Sequence, residues 1–219
     1  MTTVQLHRPS AHVRIVTASS LFDGHDASIN IMRRILQSQG AEVIHLGHNR
    51  SVQEVVDAAI EEDVQAVAVS SYQGGHVEYF EYLVELLRAG GAGHVRVVGG
   101  GGGVIVPDEI ARLRASGVTI FSPEDGQRLG LPGMVNTVLA AADFDPWAIA
   151  RPTLEAVLAG DRAAVARAIT GAQQGVLDPA LSAGIYEAAA QRRAYVRLGI
   201  APPPLGLPES AVVAGFERI

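Results

Sequence analysis

Apolar positions follow two alternating spacings through the first 142 residues. Short, continuously apolar runs such as AVAVS at 66–70 alternate with longer segments whose apolar residues recur every three or four positions. The short runs are typical of strands buried on both faces, and the longer segments of amphipathic helices. We predict strands at His12–Ser19, Glu42–Leu46, Ala66–Ser70, Val95–Val98 and Val118–Phe121. The helices that follow them are predicted at Ile29–Gln39, Ser51–Asp63, His76–Arg88, Pro107–Ala115 and Gln127–Ala142.

Five strand–helix alternations indicate parallel strands joined by right-handed crossovers, with helices on both faces of one sheet. The sequence therefore predicts an α/β fold, a doubly wound five-stranded parallel sheet of the flavodoxin-like kind, over residues 12–145. Ligands of such sheets bind outside the carboxyl ends of the strands. We expect any functional residues at that edge.

The pattern changes beyond residue 145, where helical periods continue without a strand. Helices are predicted at Thr153–Leu158, at Arg162–Gln173 and from Asp178 to about Leu198, before a run of prolines at 202–204. Residues 146–219 are thus predicted to form a C-terminal helical extension, an arm with a Pro-rich tail.

The arm shows two apolar stripes, and amphipathic helices need a surface to cover. The stripes contain Val157, Leu158, Val165 and Ile169, and Leu181, Ile185, Ala188 and Ala189. The arm is expected to pack on the flank of the sheet, on a second copy or on a partner subunit, and among these we favour self-association.

Composition excludes several classes of function. The net charge is −6, all 17 basic residues are Arg, and Cys is absent. A general nucleic-acid binder needs a basic surface, a Schiff base or a triphosphate-binding loop needs Lys, and disulfides and zinc–thiolate sites need Cys. The sequence has no signal peptide and no apolar stretch of about 18 residues. We expect a cytoplasmic protein that binds neither nucleic acid nor membranes.

Unusual residues cluster where the predicted strands end. His25 follows Asp23 by two residues after the first strand, and a metal-ligating His usually donates its second ring N–H to a carboxylate. Alone this signal is weak, because a loop His is usually a plain polar residue and Asp-Gly commonly marks a turn. The other strand ends carry Ser70-Ser71-Tyr72-Gln73-Gly74-Gly75, the glycine run 99–103, and Ser122 before a predicted turn at 123–126.

Together these motifs resemble the cobalamin-binding domains of the acyl-CoA mutases. The resemblance rests on Asp23-Gly24-His25-Asp26-Ala27-Ser28, on Ser70-Ser71-Tyr72 with Gly74-Gly75, and on Gly99-Gly100. The run from about Val13 to Gly133 is most similar to the amino-terminal domain of the fused isobutyryl-CoA mutases. Two positions depart from the family pattern, because Ser28 stands in place of Gly and Tyr72 in place of Leu. Both changes add bulk.

The resemblance implies a role for each matching residue. His25 would be the lower axial ligand of cobalt, in place of the cofactor's own dimethylbenzimidazole, and Asp23 would hydrogen-bond the imidazole. The other matching positions would contact the cofactor or line the slot for its displaced nucleotide tail. They are Gly24, Asp26, Ser28, Ser70, Tyr72, Gly74, Gly75, Gly99, Gly100 and Ser122.

The implied function is to bind adenosylcobalamin for carbon-skeleton isomerisation of an acyl-CoA, of the isobutyryl-CoA or methylmalonyl-CoA mutase type. The chain is too short for a (β/α)₈ barrel, so a mutase large subunit would supply the substrate site. The alternatives are a corrinoid methyl carrier, a cobalamin-sensing regulatory module and a flavodoxin-like fold without cobalamin.

Overall fold

Strands and helices alternate through residues 5–24 and 27–192, the part of the chain that the computed structural model describes. The strands are β1 (Arg14–Ser20), β2 (Glu42–Arg50), β3 (Ala66–Ser70), β4 (Arg96–Gly100) and β5 (Val118–Phe121). The helices between and after them are α1 (Ala27–Ser38), α2 (Val52–Glu61), α3 (His76–Ala89), α4 (Pro107–Ala115) and α5 (Pro123–Ala142). All strand pairs are parallel and their order is β2-β1-β3-β4-β5. The predicted flavodoxin-like, doubly wound sheet is confirmed.

Side chains on the two faces of the sheet enter two separate cores, because successive residues of a strand point to opposite sides. Val67 and Val97 belong to the core shared with α2, α3 and α4, where Phe80 is fully buried. Ile15 and Val98 belong to the core shared with α1 and α5. Burial on both faces explains why the strands read as continuous apolar runs.

Strand β2 is longer than predicted, since it continues to Arg50 rather than ending at Leu46. Its second half, with His48 and Asn49, is polar and exposed, so hydrophobicity did not reveal it. This half stays beside β1 through two irregularities in the register, which pair Ala18 with Gly47 and Ser20 with Arg50.

The prediction of a turn at residues 123–126 is wrong, because α5 starts at Pro123. Ser122 and Asp125 form a capping box, in which each side chain accepts a hydrogen bond from the other's backbone N–H, both at 3.1 Å. The helix is then interrupted at Gly130, which has φ 61° and ψ 172°. Pro132 follows two residues later and cannot donate a helical hydrogen bond.

Beyond the sheet the chain forms α6 (Pro146–Ile149), α7 (Leu154–Ala159), α8 (Arg162–Gln173) and α9 (Pro179–Arg192). Helix α8 packs on α2, and α9 packs on α7. The prolines at 202–204 and the predicted end of the last helix at Leu198 lie outside the described residues. Among the helices that can be described, none combines the length and apolarity that crossing a bilayer requires.

A buried ion pair fastens the arm to the sheet domain. The Arg167 Nε of α8 lies 2.8 and 2.7 Å from the two carboxylate oxygens of Asp63, and both side chains are only 6% exposed. Its Nη1 donates to the carbonyls of Pro146 and Ala150. Its Nη2 lies 3.1 Å from Nε2 of His94. Burial, and then the charge of Arg167, lowers the pKa of His94, which favours a neutral ring that can accept this bond.

The apolar stripe predicted for α8 does not face the protein as expected. Ile169 is 54% exposed, and the charged Arg167 is buried instead. The buried face instead carries small side chains around Arg167, namely Ala166, Ala168, Thr170 and Gly171. A side chain at position 171 would overlap the Trp147 ring. Helix α8 therefore packs on the flank of the sheet domain, one of the three expected alternatives. Self-association and the division into residues 12–145 and 146–219 stay predictions.

Replacing Arg167 by Met should destabilise the protein by about 3–5 kcal/mol, because Asp63 would stay buried without its partner. Arg162→Met is the matched control, since Arg162 pairs with Asp57 and Glu61 at the exposed surface of α2. We expect the control to lose less than about 1 kcal/mol. Urea unfolding followed by circular dichroism measures both values. Equal losses in the two variants would contradict a structural role for the buried pair.

Candidate functional site

A groove of about 360 Å³ lies between the sheet and helices α1 and α5, near the carboxyl ends of β3 and β4. Its floor is made of small residues, namely Ala68, Ser70, Val98 and Gly100. The walls add apolar side chains from both helices and from the end of β5, including Ile29, Met32, Phe121, Leu131, Met134 and Val138. Because the floor side chains are so short, they do not fill the space between the sheet and the two helices here. The groove suits a flat and mainly apolar ligand.

Neighbouring glycines of the run 99–103 have different structural roles, because their missing side chains would point to opposite faces of the sheet. A Cβ on Gly99 would overlap the Phe80 ring and lie 2.9 Å from Cδ1 of Ile120, so this glycine permits packing in the opposite core. A Cβ on Gly100 would meet only the Phe121 carbonyl, at an ordinary 3.7 Å. The fold does not need glycine at position 100, but the groove does, because a side chain there would enter it.

The end of the glycine run brings two loops together. A Cβ on Gly101 would overlap the carbonyl oxygen of Ser71, so the loops after β3 and β4 touch here. Gly102 has φ 57° and begins a short 3₁₀ turn, and α4 starts only at Pro107. The glycines therefore do not form the first turn of a helix, as a phosphate-binding loop would.

Asp23 is fully buried at the end of β1. Its Oδ2 accepts a hydrogen bond from the backbone N–H of Tyr72 at 2.5 Å, which joins the loop after β1 to the loop after β3. The exposed Gly24 follows Asp23, and His25 and Asp26 lie outside the described residues. The metal role of His25 thus stays a prediction, and so does its hydrogen bond to Asp23.

The polar end of β2 shapes the turn that presents Asp23. The N–H of Asp23 donates to the carbonyl of Ser20, and Phe22 between them has φ 63°, a conformation that side-chain-bearing residues rarely adopt. Asn49 stabilises this turn through its side chain, whose Oδ1 accepts from the Phe22 N–H at 2.8 Å. Its own N–H donates to the Asp23 carbonyl at 3.2 Å. Asn49 escaped the sequence analysis because it lies in the unpredicted half of β2.

Hydroxyl groups pair across the ends of β1 and β3. Ser70 lines the groove and its Oγ lies 2.9 Å from Oγ of Ser19, with which it is in register. On the opposite face Ser20 donates to Ser71 at 2.8 Å. These pairs satisfy buried hydroxyls that would otherwise destabilise the sheet. Strand alternation together with the register identifies Ser19, which the motif alone does not.

The remaining predicted residues divide between the groove and the loop beside it. Ser28, Tyr72 and Ser122 line the groove together with Gly99 and Gly100. Gly74 and Gly75 do not line it but precede α3, where Gly75 is the N-cap residue with φ 82°.

His76, predicted to be a cap or packing residue, is buried at the start of α3 and joins this loop to α4. Its Nε2 lies 2.9 Å from Oε2 of Glu109, and its Nδ1 lies 2.9 Å from the Gln73 carbonyl. The Val106 N–H, and then His76, lowers the pKa of Glu109.

The described residues offer no cluster of three His, Asp or Glu side chains that would hold a bare metal ion. They do offer an apolar groove with hydroxyl groups at several points of its lining, from Ser28, Ser70, Tyr72 and Ser122. The open floor at Gly100 marks a ligand-sized space rather than a packing defect. This donor set fits an organic group with apolar faces and polar edges better than it fits an ion.

Comparison with known proteins agrees with this geometry. Residues 13–127 match the family described as the B12 binding domain. The fused isobutyryl-CoA mutase of Nocardia farcinica is 68% identical over 195 residues, which cover 89% of this chain but 18% of the relative. The 2-hydroxyisobutanoyl-CoA mutase small subunit of Aquincola tertiaricarbonis is 33% identical over 130 residues, covering 59% of this chain and 93% of that subunit. A cobalamin-binding protein from Desulfitobacterium hafniense has a similar structure, with 25% identity, a TM-score of 0.49 and 59% of each chain covered.

A leucine at position 100 should fill the groove while the protein still folds, because a Cβ there meets only the Phe121 carbonyl. We expect Gly100→Leu to weaken cobalamin binding by roughly tenfold or more, since forcing a ligand into occupied space costs about 1–3 kcal/mol. Gly103→Leu is the matched control, because that position faces open space. Titration calorimetry measures both affinities, and equal binding by the two variants would show that cobalamin does not use the groove.

Proposed function

The chain belongs to the B12-binding domain family, and on that premise we propose that it carries the cofactor of an adenosylcobalamin-dependent acyl-CoA mutase. The observation that supports this most directly is the open groove beside the loop that leads from Asp23 to His25. A cofactor that exchanges its own lower ligand for a protein side chain needs both a ligating loop and a place for the displaced nucleotide tail. The loop after β1 would supply the ligand, and the groove at the ends of β3 and β4 would receive the tail; both lie at the same edge of the sheet.

In this proposal His25 is the lower axial ligand and Asp23 its hydrogen-bond acceptor. A carboxylate can accept several hydrogen bonds, so the bond from the Tyr72 amide is compatible with a second one from an imidazole. Such an outer partner fixes the orientation of a ligating imidazole and raises its basicity. The complete burial of Asp23 favours this role, because few water molecules compete for the carboxylate.

The residues that line the groove would hold the nucleotide tail. Ser70 and Ser122 offer hydroxyls, Gly100 leaves the floor open, Gly99 lines the groove through its backbone, and the flanking apolar walls exclude water. Gly74 and Gly75 would act indirectly by shaping the loop that carries Tyr72. Gly24 and Asp26 would support the ligating loop.

When bound, adenosylcobalamin supplies radical chemistry through cleavage of its cobalt–carbon bond, and this chain would bind and orient the cofactor. A substrate barrel of the (β/α)₈ type needs about 250 residues. We therefore propose that the acyl-CoA binds to another polypeptide or to further sequence joined to this one. The names of the relatives, fused mutases and a mutase small subunit, are compatible with either arrangement. They favour a mutase over a methyl carrier or a sensor.

Axial ligation by His25 can be tested by electron paramagnetic resonance of the protein with cobalamin in the Co(II) state. Labelling histidine with ¹⁵N should change the axial nitrogen splitting from three lines to two. His25→Ala should abolish the effect of labelling, and Asp23→Asn should weaken affinity roughly 10–100-fold, as is usual for an outer partner of a ligand. His48→Ala, an exposed position in β2, is the control. A splitting that labelling leaves unchanged would disprove ligation by histidine.

The isolated chain should not convert isobutyryl-CoA or methylmalonyl-CoA, even when it is saturated with adenosylcobalamin. The physical reason is that residues 5–24 and 27–192 form one doubly wound sheet with its helices and not the (β/α)₈ barrel that would bind the acyl-CoA. Addition of a mutase large subunit should restore turnover, measured by chromatography of the acyl-CoA products. Turnover by the pure chain would contradict the proposed division of labour.

A further inference from the structure

Two hydroxyl groups meet across the carboxyl-end opening of the groove. Oγ of Ser28, in the first turn of α1, lies 3.0 Å from the phenolic oxygen of Tyr72, in the loop after β3. Both residues line the groove, and Ser28 is exposed to solvent. The bond therefore connects the α1 wall of the groove to the loop that continues its floor.

The Tyr72 ring spans the distance between two further elements. Its Cε1 would lie 3.1 Å from a Cβ on Gly102, so the ring rests against the backbone of the loop after β4. Its backbone N–H is held by Asp23 at 2.5 Å. Because the backbone is fixed and the hydroxyl reaches Ser28, the ring extends from the end of β4 to the start of α1. Rotation of the Tyr72 side chain alone would break its contact with Ser28 at the entrance of the groove.

We propose that the Ser28–Tyr72 hydrogen bond is a latch that narrows the entrance of the groove before the cofactor binds and opens to admit the nucleotide tail. This inference rests on the proposed function, in which the groove receives that tail. Both residues are bulkier than the Gly and Leu of the related motif, and their side chains contact each other. Two positions that depart from the family pattern thus meet in one hydrogen bond at the entrance of the groove.

The latch has a kinetic consequence. Side-chain rotations take picoseconds to nanoseconds, far faster than a bimolecular encounter, so the open and closed forms are in equilibrium before the cofactor arrives. The association rate is then proportional to the open fraction. Loss of one neutral hydrogen bond should raise that rate roughly twofold to tenfold. Dissociation should not change, because the bond is absent while the tail occupies the groove.

The experiment compares Ser28→Ala and Tyr72→Phe with the unmodified protein. Stopped-flow absorbance at low protein concentration gives the second-order rate constant for adenosylcobalamin and for cobinamide, which lacks the nucleotide tail. Each variant should bind adenosylcobalamin faster by the stated factor, and the double variant no faster than either single one, because all three remove the same bond. Cobinamide should bind every variant at the rate of the unmodified protein.

Two matched controls test for unspecific effects. Ser38→Ala removes a hydroxyl at the other end of α1, where it donates to the Ile35 carbonyl. Tyr82→Phe removes a half-exposed hydroxyl from α3. Neither position lines the groove, so neither variant should change an association rate. Far-ultraviolet circular dichroism should show the same helical content in all variants.

Three results would contradict the proposal that the Ser28–Tyr72 hydrogen bond acts as a latch. Association rates that are equal in all variants would show that the bond does not restrict entry. Faster dissociation with unchanged association would show that the two side chains hold the bound tail instead. Equal acceleration for cobinamide would place the effect outside the groove. If the unmodified protein bound cobalamin with its own base still on cobalt, the proposed function would fail as well, and the absence of an effect of ¹⁵N-histidine labelling on the axial splitting of the Co(II) form separates that case from the others.

Discussion

The smallness of the side chains on one face of β3 and β4 is the constraint on which the site depends. A parallel sheet is stable only when both faces are covered, and here the face toward α2–α4 is filled by Val67, Val97 and the Phe80 ring. The face toward α1 and α5 has the same strands but offers only Ala68, Ser70 and Gly100 near its carboxyl end. The covering helices rest on larger residues deeper in the sheet and leave the end unfilled. A groove of ligand size thus arises without disturbing the core that stabilises it.

The sequence predicted the sheet well because burial on both faces leaves a strong signal. Continuous apolar runs such as 66–70 have few interpretations, and the order of the strands follows from general rules of connection. The motifs also placed Asp23, Ser70 and the glycine run at the correct edge of the sheet. The apolar walls of the groove could not be predicted, because Met134 and Val138 read as ordinary core positions of a helix. Only the three-dimensional arrangement shows that their side chains face unfilled space.

Elements held by polar contacts were the ones that sequence patterns missed. The second half of β2 is exposed and polar, yet Asn49 fixes the turn that presents Asp23. Helix α8 turns a charged residue inward, so its apolar stripe pointed to the wrong face. Arg167 is costly to bury unless every donor finds an acceptor. Asp63, two backbone carbonyls and His94 provide such acceptors, and they come from segments far apart in the chain.

The short hydrogen bond between Asp23 and the Tyr72 amide links the loop after β1 to the loop after β3. One leads to His25, and the other carries a side chain that borders the groove. Because this partly buried bond joins the two loops, a shift of either loop would change the free energy of the other. Linkage of this kind is reciprocal, so an event at the groove and an event at the loop after Asp23 would alter each other's equilibrium by the same factor. In the proposed function, loading of the two halves of one ligand would then be cooperative within a single domain, and Asp23 would carry the coupling.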